Sequence, residues 1–363
     1  MVNDSNLAGL DYRAEALRMG APPCPIIDAH AHVGGPRAAL ILRDAMNIYG
    51  IDEIWSMTSS IGDLDRMREI FGLRISFIAV PDWRSPNPRE AHGTGYAKRI
   101  EDYHARGARI AKFWGAPRGV DIGSEAGDPA LMRLDHPARI EAMACAHALG
   151  MSFMAHVADP NTWFATKYAE ASRYGTKASQ YEPFEAAVDR FNAPWIAAHM
   201  GGWPEDLSFL DGLLSRHANL SLDTSATKWI VREISRHPRE EVVAFFTKWR
   251  GRLLFGSDIV TSDAHLATTP SAHEMDRKAS SEEDAFDLYA SRYWALRTLW
   301  ETDWVGPSPI ADPDLALVDP DHHGPHDSPV LRGVALPQHI LADLYRESAS
   351  AFAIGKNRPK PAP

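Results

Sequence analysis

A distorted (β/α)8 TIM barrel is the fold that the sequence predicts for residues 25–363, with residues 1–24 as an N-terminal extension. Short apolar runs alternate with amphipathic stretches from residue 25 onward, a pattern typical of parallel α/β folds. Several of these runs end in histidine or aspartate, and a barrel of this kind gathers polar side chains at the carboxyl ends of its strands. The length of 363 residues accommodates one barrel of about 250 residues with insertions.

Eight apolar runs have the length of buried strands and are followed by turn residues. They predict strands over Ile26–His30, Ile51–Met57, Leu73–Val80, Ala108–Trp114, Met151–His156, Trp195–His199, Asn219–Asp223 and Leu253–Ser257. Apolar residues at helical spacing predict the intervening helices near Ala38–Tyr49, Leu64–Phe71, Arg89–Arg106, Pro137–Leu149, Glu182–Arg190, Pro204–Arg216, Ile230–Trp249 and Glu283–Glu301. Because proline removes a helix hydrogen bond, we expect a break before Pro238. A last amphipathic helix is expected after Leu336, ending near Ala353.

Three polar segments interrupt this alternation, at residues 115–136, 261–281 and 307–331. The first two follow the fourth and eighth predicted strands, so we expect them at the rim, where long loops are usually functional. The second contains His265 and His273. The third has the composition of a solvated loop, but its side chains leave metal binding open as an alternative: Asp319, Asp321, His322, His323, His326 and Asp327.

The composition is that of a soluble globular protein, with 45% apolar and 24% charged residues. A net charge of −10 without a dense Lys/Arg block argues against a nucleic-acid partner. The sequence has no long apolar run and no basic leader followed by an apolar stretch, so we expect a cytoplasmic protein without a membrane partner. Cys24 and Cys145 have no metal or redox spacing, and we expect inert thiols.

The first predicted strand ends in His30, and a second histidine, His32, follows two residues later. Residues two apart on a strand share a face, so both imidazoles point the same way. Two converging nitrogen donors are what a divalent metal needs, although two histidines on a half-exposed strand would have the same pattern.

Three further apolar runs are closed by residues of the same chemical types. Two of these runs end in His156 and His199, and the third is followed by Asp258. Taken singly, each histidine is more often a hydrogen-bonded core residue, and a helix N-cap is an alternative role for Asp258. Because parallel strand ends gather at one face of a barrel, the coincidence of several such residues favours a metal site.

With these motifs the chain resembles the amidohydrolase superfamily, and specifically its amidohydrolase-2 branch, the relatives of aminocarboxymuconate-semialdehyde decarboxylase. The matching features span nearly the whole chain in family order: Ile27–His32, His156, Ala198–Gly202, Leu254–Asp258, Leu336–Pro337, Ile340–Leu341 and Leu344–Tyr345.

The resemblance implies a distorted barrel with one divalent metal, most often zinc, with manganese as an alternative. Residues matching His30, His32, His156 and Asp258 would hold this metal, and His199 matches the position that helps to activate water. Lys112 occupies the place of a bridging lysine in binuclear members, so Lys112 and His199 leave a second metal open; members of this branch often use one metal all the same. Dimers are common in the branch, which leaves a homodimer open.

Metal chemistry explains why these residue types would be useful. A divalent cation polarises a carbonyl oxygen and brings the pKa of bound water near 7. In this interpretation Asp258 also accepts the proton of the attacking water and returns it to the leaving group. His199 would stabilise the developing oxyanion or hydrogen-bond the water. Asp28 either orients a ligand from behind or is a polar residue satisfied by backbone.

We expect the substrate to be a small, anionic molecule that is contacted from the rim. The candidates are Arg118, Lys228, Trp229 and Arg292, with Tyr289 and Trp294 as further aromatic contacts. Arginine suits carboxylates because its planar fork pairs with them through two hydrogen bonds. Each candidate also has a structural alternative, as a core aromatic or a surface charge.

The function that the sequence favours is a metal-dependent hydrolase acting on a lactone, amide or ester. The alternative is a nonoxidative decarboxylase of an aromatic or unsaturated acid, because the same ligand set performs both reactions in the branch. Some decarboxylases carry glutamate at the position of His30 and a glycine-glutamate pair at Gly201–Gly202, so this chain favours hydrolysis. A barrel that binds a ligand without catalysis is the third hypothesis, and it predicts gaps in the ligand set.

Overall fold

The computed structural model describes residues 4–267 and 275–353. The predicted rim residue His273 therefore lies outside the described residues. In the described part of the chain the strands are β1 Ile26–His32, β2 Ile51–Ser56, β3 Ile75–Ala79, β4 Ile110–Trp114, β5 Ser152–His156, β6 Trp195–Ala197, β7 Leu220–Asp223, β8 Leu253–Leu254, β9 Ile259–Val260, β10 Val305–Pro307 and β11 Val330–Arg332. All eight predicted strands are present, within a few residues of their predicted bounds.

Helices separate successive strands of the described chain, except that β9 follows β8 with no helix between them. In the described residues they are α1 Tyr12–Met19, α2 Pro36–Tyr49, α3 Leu64–Phe71, α4 Pro88–His92, α5 Thr94–Ala105, α6 Gly119–Glu125, α7 Pro137–Ala148, α8 Asn161–Phe164, α9 Ala171–Tyr174, α10 Tyr181–Arg190, α11 Leu207–Arg216, α12 Thr227–Ile234, α13 Arg239–Lys248, α14 Glu282–Glu301, α15 Asp314–Val318, α16 Gln338–Ala342 and α17 Ser348–Ala353. A π-helical turn, Asp343–Glu347, connects α16 to α17.

Local sequence explains where several helices begin and end. α2 begins with Pro36, where the missing N–H has no cost, and ends before Gly50, which has a left-handed φ of +75°. The Ser281 side chain accepts a hydrogen bond from the Asp284 N–H and caps α14. The expected break at Pro238 is present between α12 and α13. The predicted helix at 89–106 is divided into α4 and α5.

The strand order follows the chain from β1 to β8, with β9 next to β1, in a sheet of nine described strands. The pairings β1–β2, β1–β9, β3–β4, β4–β5, β5–β6 and β6–β7 are all parallel. Parallel strands in chain order, joined by helices, are the topology of a (β/α)8 barrel, here with the eighth strand divided into β8 and β9. The predicted fold class is therefore confirmed.

The chain forms two compact units. The first unit comprises Met1–Ser56, Gly62–Ser76 and Thr224–Ser350, and the second comprises Met57–Ile61, Phe77–Asp223 and Ala351–Pro363. In the first, β1 is buried from Ile26 to Ala31 and lies between β2 and β9. In the second, β4 to β7 form a continuous parallel ladder with a largely buried apolar core. The predicted boundaries at residues 24 and 25 stay a prediction.

The segments outside the regular alternation have structure of their own. Residues 115–136 contain α6, and the segment 307–331 contains α15 between the antiparallel strands β10 and β11. In the N-terminal segment, the Tyr12 hydroxyl donates to the Ser5 carbonyl at 2.6 Å. No helix among the described residues is both long enough and apolar enough to cross a bilayer.

Candidate metal centre

Strand β1 carries two imidazoles near its carboxyl end. His30 is fully buried, whereas the His32 side chain is 38% exposed. Their ring centroids lie 5.8 Å apart, as expected for alternate residues on one strand face. The two rings therefore differ in access: one is enclosed by protein, and the other borders the solvent.

Asp258 meets both imidazoles. Its Oδ1 atom lies 3.4 Å from His30 Nε2 and 3.3 Å from His32 Nε2. The metal-binding atoms of these three residues all lie within 4.8 Å of one another. A carboxylate facing two imidazole nitrogens is a mixed donor set that suits zinc and also accommodates manganese.

The backbone at Asp258 is held in an uncommon conformation. Its φ is +60°, a left-handed value that few non-glycine residues adopt. The Asp258 N–H donates to the His30 carbonyl at 2.8 Å, and the Thr261 N–H donates to the His32 carbonyl at 3.0 Å. These bonds align the segment after β8 with the end of β1. Backbone strain of this kind concentrates at functional sites.

Two further features fix the His30 ring. Ser225 Oγ lies 3.0 Å from His30 Nδ1, which leaves Nε2 on the side of Asp258. Gly256 packs so closely that an added Cβ would lie 3.0 Å from the Cβ atoms of both His30 and Ser225. A partner on the second ring nitrogen sets the orientation of a metal-binding histidine.

Asp28 lies at the base of this arrangement and accepts hydrogen bonds from two backbone N–H groups and two side-chain hydroxyls. Its carboxylate accepts from the His30 N–H at 3.2 Å and the Ser257 N–H at 3.0 Å. It also accepts from Ser257 Oγ at 2.6 Å and from the Tyr293 hydroxyl at 3.1 Å. Complete burial raises the pKa of Asp28 to about 7. These contacts fit both roles that the sequence leaves open, because the carboxylate accepts from backbone N–H groups and one of them belongs to His30.

The residues present fit a divalent cation. A tetrahedral ion with bonds of about 2.0–2.2 Å separates its ligand atoms by about 3.4 Å. The two nitrogen-to-oxygen distances at Asp258, 3.4 and 3.3 Å, match that separation. Both exceed the usual length of a direct hydrogen bond, which is about 2.7–3.2 Å. His30, His32 and Asp258 are therefore the residues that would hold such an ion.

The second unit gathers a different set of strand-end side chains. The His156 ring packs edge-on against the His199 ring, with centroids 4.6 Å apart, and against the Trp114 ring at 5.8 Å. His156 Nε2 lies 2.9 Å from Asp159 Oδ1, and the Tyr168 hydroxyl donates to Asp159 Oδ2 at 3.0 Å. His156 thus has a carboxylate partner within its own unit.

His199 follows β6 on a left-handed backbone, with φ of +58°. Its N–H donates to the buried Asp223 Oδ1 at 2.9 Å. Gly202, three residues on, has φ of +86°, and an added Cβ there would lie 2.7 Å from the Ala158 carbonyl. Only glycine tolerates this conformation and this approach.

The remaining predicted site residues have varied surroundings. In the second unit, Lys112 is buried in β4. Arg118 is exposed and immediately precedes α6. Burial raises the pKa of Tyr168, and the charge of Arg118 acts in the opposite direction. In the first unit, Lys228 Nζ lies 3.4 Å from both Asp312 and Asp314 carboxylates.

Two other predicted substrate contacts in the first unit are largely enclosed. Trp229 is 5% exposed, and Arg292 donates to the Leu288 carbonyl at 3.0 Å and to Ser291 Oγ at 2.9 Å. Burial lowers the pKa of Arg292 to about 10. Substrate roles for these four residues stay predictions.

The histidines of the polar segments have ordinary partners. His265 is buried, with Nδ1 at 2.8 Å from the Tyr289 hydroxyl and Nε2 at 2.8 Å from the Met275 carbonyl. In the segment 307–331, His322 pairs with Asp319 and His323 with Asp327 at the surface. These contacts match the solvated loop that its composition predicts.

Sequence reasoning missed Asp159, Asp223, Ser225 and Tyr293. Asp223 ends β7, so it carries the strand-end signal that identified Asp258. Asp159 and Ser225 lie two or three residues beyond strand ends, where no spacing rule singles them out. Tyr293 lies in the middle of α14, and its contact with Asp28 joins residues 265 positions apart.

Comparisons with known proteins give matches among solved structures. No protein-family model and no curated protein sequence matches this chain. An amidohydrolase from Burkholderia multivorans with bound HEPES is 13% identical, over 90% of this chain and 99% of that one, with a TM-score of 0.44. A probable 2-pyrone-4,6-dicarboxylic acid hydrolase from Acinetobacter baumannii with citric acid bound is 12% identical, over 74% and 92%, with a TM-score of 0.41.

A dihydroxybenzoic acid decarboxylase from a Polaromonas species, with bound manganese and the inhibitor 2-nitroresorcinol, also matches. It is 14% identical over 73% of this chain and 97% of that one, with a TM-score of 0.39. These structures include hydrolases and a decarboxylase, the two classes to which the sequence resemblance points. At such identities and TM-scores the similarity identifies no activity.

Proposed function

We propose that this protein is a metal-dependent hydrolase of a small, anionic carbonyl compound such as a lactone, an amide or an ester. His30, His32 and Asp258 hold one divalent cation, zinc or manganese. The observation that carries the proposal is the approach of Asp258 Oδ1 to both imidazoles at the separation that a tetrahedral ion imposes.

The chemistry is divided between the cation and the chain. When bound, the cation polarises a carbonyl oxygen and lowers the pKa of water toward neutrality. The Asp258 carboxylate accepts the proton of the attacking water and returns it to the leaving group. Ser225 holds the His30 ring, and Asp28 holds the backbone of β1 in place during this exchange.

One predicted substrate contact is part of this proposal. The exposed Arg118 would bind the anionic group of the substrate, because a guanidinium pairs well with a carboxylate. Roles for His156 in metal binding, for His199 in stabilising an oxyanion, and for Lys112 beside a second metal stay predictions from the resemblance. A homodimer and a cytoplasmic location are predictions of the same kind.

One observation favours hydrolysis over decarboxylation. The resemblance associates some decarboxylases with glutamate at the position of Gly202. Here a side chain at residue 202 would meet the Ala158 carbonyl and would require a left-handed backbone. The loop after β6 therefore requires glycine at residue 202 and would not accept glutamate there without a change of backbone.

The test combines metal analysis with a substrate panel. Protein purified without chelator is analysed for metals, stripped, and reloaded with zinc or manganese. Each form is then incubated with lactones, amides, esters and hydroxybenzoates while proton release and carbon dioxide are recorded. We expect one metal ion per chain and metal-dependent proton release from a member of the first three classes.

Two outcomes would contradict the proposal. Carbon dioxide released from hydroxybenzoates, with no hydrolysis, would assign the decarboxylase alternative. Protein that binds neither zinc nor manganese would remove the metal centre altogether.

A further inference from the structure

Arg139 is a buried charge in the second unit with few partners. It lies in the first turn of α7 and is 0% exposed. Its Nη2 atom donates to the Trp114 carbonyl at 3.0 Å, and its guanidinium lies 5.1 Å from the Phe113 ring centroid. Among the described residues, Nε and Nη1 have no hydrogen-bond partner. A guanidinium has five N–H groups, so most of its donors are unused.

Protein groups do not neutralise this charge. Within the described part of the chain, the one ionisable neighbour that favours the charged form is Tyr96. The Tyr96 hydroxyl donates to the Ala79 and Lys112 carbonyls, and burial raises its pKa far above the ordinary value. Tyr96 is therefore neutral. Buried charges in proteins are almost always paired, because removing an ion from water has a large free-energy cost.

His92 adds a second unused polar atom nearby. It is 3% exposed, and its Nδ1 has no partner among the described residues. Its ring stands edge-on to Trp83, with centroids 4.6 Å apart. An added Cβ on Gly93 would lie 3.5 Å from the Ala138 Cβ, so the chain next to His92 touches the chain next to Arg139.

We propose that Arg139 and His92 form a buried anion site, which binds a small monovalent anion: chloride, or the carboxylate of a small acid. One guanidinium charge matches one negative charge. Arg139 Nε–H and Nη1–H supply donors, and His92 supplies a third when its hydrogen is on Nδ1. Phe113, Trp83 and Trp114 give the site aromatic surroundings, and complete burial limits the anion to a few atoms. Among the described residues, the Asp82 carboxylate acts on His92, and no carboxylate acts on Arg139. This site does not depend on the metal centre.

The test measures anion-dependent stability of the full-length protein. The melting temperature is recorded at constant ionic strength while sodium gluconate, whose anion is too large for the site, is replaced by chloride, bromide or formate. A ligand that binds only the folded state raises the melting temperature in a saturable way. We expect saturation for the wild type and for Arg133→Gln, which removes an exposed arginine in the same segment. In Arg139→Gln the half-saturating anion concentration should rise at least tenfold.

Crystals soaked in bromide locate the anion directly. We expect an anomalous peak beside Arg139 Nε or Nη1 and His92 Nδ1. If Arg139→Gln does not fold, His92→Phe keeps a ring at the position but removes Nδ1, and should weaken the response several-fold. A response to halides alone assigns chloride, and a stronger response to formate assigns a carboxylate.

The proposal is overturned if no anion raises the melting temperature in a saturable way, or if bromide-soaked crystals contain only water at Arg139. It is equally overturned if both variants respond as the wild type does. None of these results bears on the metal content of the protein, so failure here is distinct from failure of the proposed hydrolase.

Discussion

Both compact units pair buried basic groups with acids, but among the described residues the second unit also holds two buried basic groups without an acid partner at hydrogen-bond distance. In the first unit, basic groups meet acids: His30 and His32 face Asp258, and the buried Arg232 contacts Asp312 and Glu233. In the second unit, His156 has Asp159 as a partner, whereas Arg139 and His92 have none among the described residues.

This difference indicates which ligands each unit suits. A carboxylate spaced 3.3–3.4 Å from two imidazoles leaves room for a cation between them. A buried guanidinium with unused donors attracts an anion. The same residue types thus acquire opposite ligand preferences, depending on whether an acid lies beside them.

The largest effect should come from Asp258→Asn. The amide is nearly the same size but cannot accept a proton, so turnover should fall about 10²–10⁴-fold, the range for losing a general acid–base. Activity is measured on the substrate identified in the panel. Asp321→Asn, at an exposed position, is the matched control and should retain wild-type turnover. Undiminished turnover in Asp258→Asn would refute the assigned proton transfer.

The uncompensated base in the second unit should make stability depend on pH. Burial, and then the charge of Arg139, lower the pKa of His92 to about 4, although the charge of Asp82 acts in the opposite direction. Below about pH 6.5 His92 is protonated in the unfolded chain, whereas it stays neutral in the folded chain down to about pH 4. The free energy of unfolding should therefore fall by about 2–3 kcal/mol between pH 6.5 and 4 because of this residue.

His92→Gln removes that contribution and should flatten the pH profile. The measurement is urea unfolding in chloride-free gluconate buffer, with His104→Gln, on an adjacent helix, as the control variant. Equal slopes for the wild type and His92→Gln would contradict the neutral state of His92.

A smaller effect is expected at the candidate metal centre of the first unit. Ser225→Ala removes the partner of His30 Nδ1 and should weaken metal affinity about 10–100-fold, as loss of a hydrogen bond behind a ligand generally does. Ser215→Ala, on the exposed face of α11, is the control. Competition with a chelator gives the affinities. A metal affinity unchanged by Ser225→Ala would mean that the hydroxyl does not orient the ring.

Sequence predicted the fold and part of the candidate site for clear physical reasons. Strand-length apolar runs and proline breaks are local signals, so all eight strands and the break at Pro238 were predictable. His30 and His32 share a face because of strand geometry alone. Asp258 was predictable only as a strand-end acid, since its left-handed backbone is set by hydrogen bonds to β1.

The contacts that set ligand preference were not predictable. Whether an imidazole has an acid beside it depends on side chains that are distant in sequence, or that lie in loops without a periodic pattern. Ser225 lies 195 positions from His30, and Asp159 pairs with His156 through a loop. Arg139 lies at a helical position where a surface charge is the usual outcome, so its burial had no sequence signal.

The smallest predicted effect concerns the pair that makes His156 different from Arg139 and His92. Tyr168→Phe removes the hydroxyl that donates to Asp159 Oδ2, and should lower the free energy of unfolding by about 1–2 kcal/mol, because the bond is buried and its acceptor is a carboxylate. Urea unfolding provides the measurement. Tyr174→Phe, half-exposed and bonded to Asp121, should change stability by less than about 0.5 kcal/mol. Equal losses in the two variants would show that the Tyr168–Asp159 hydrogen bond stabilises the fold no more than a half-exposed one does. The contact between Asp159 and His156 would then not depend on Tyr168.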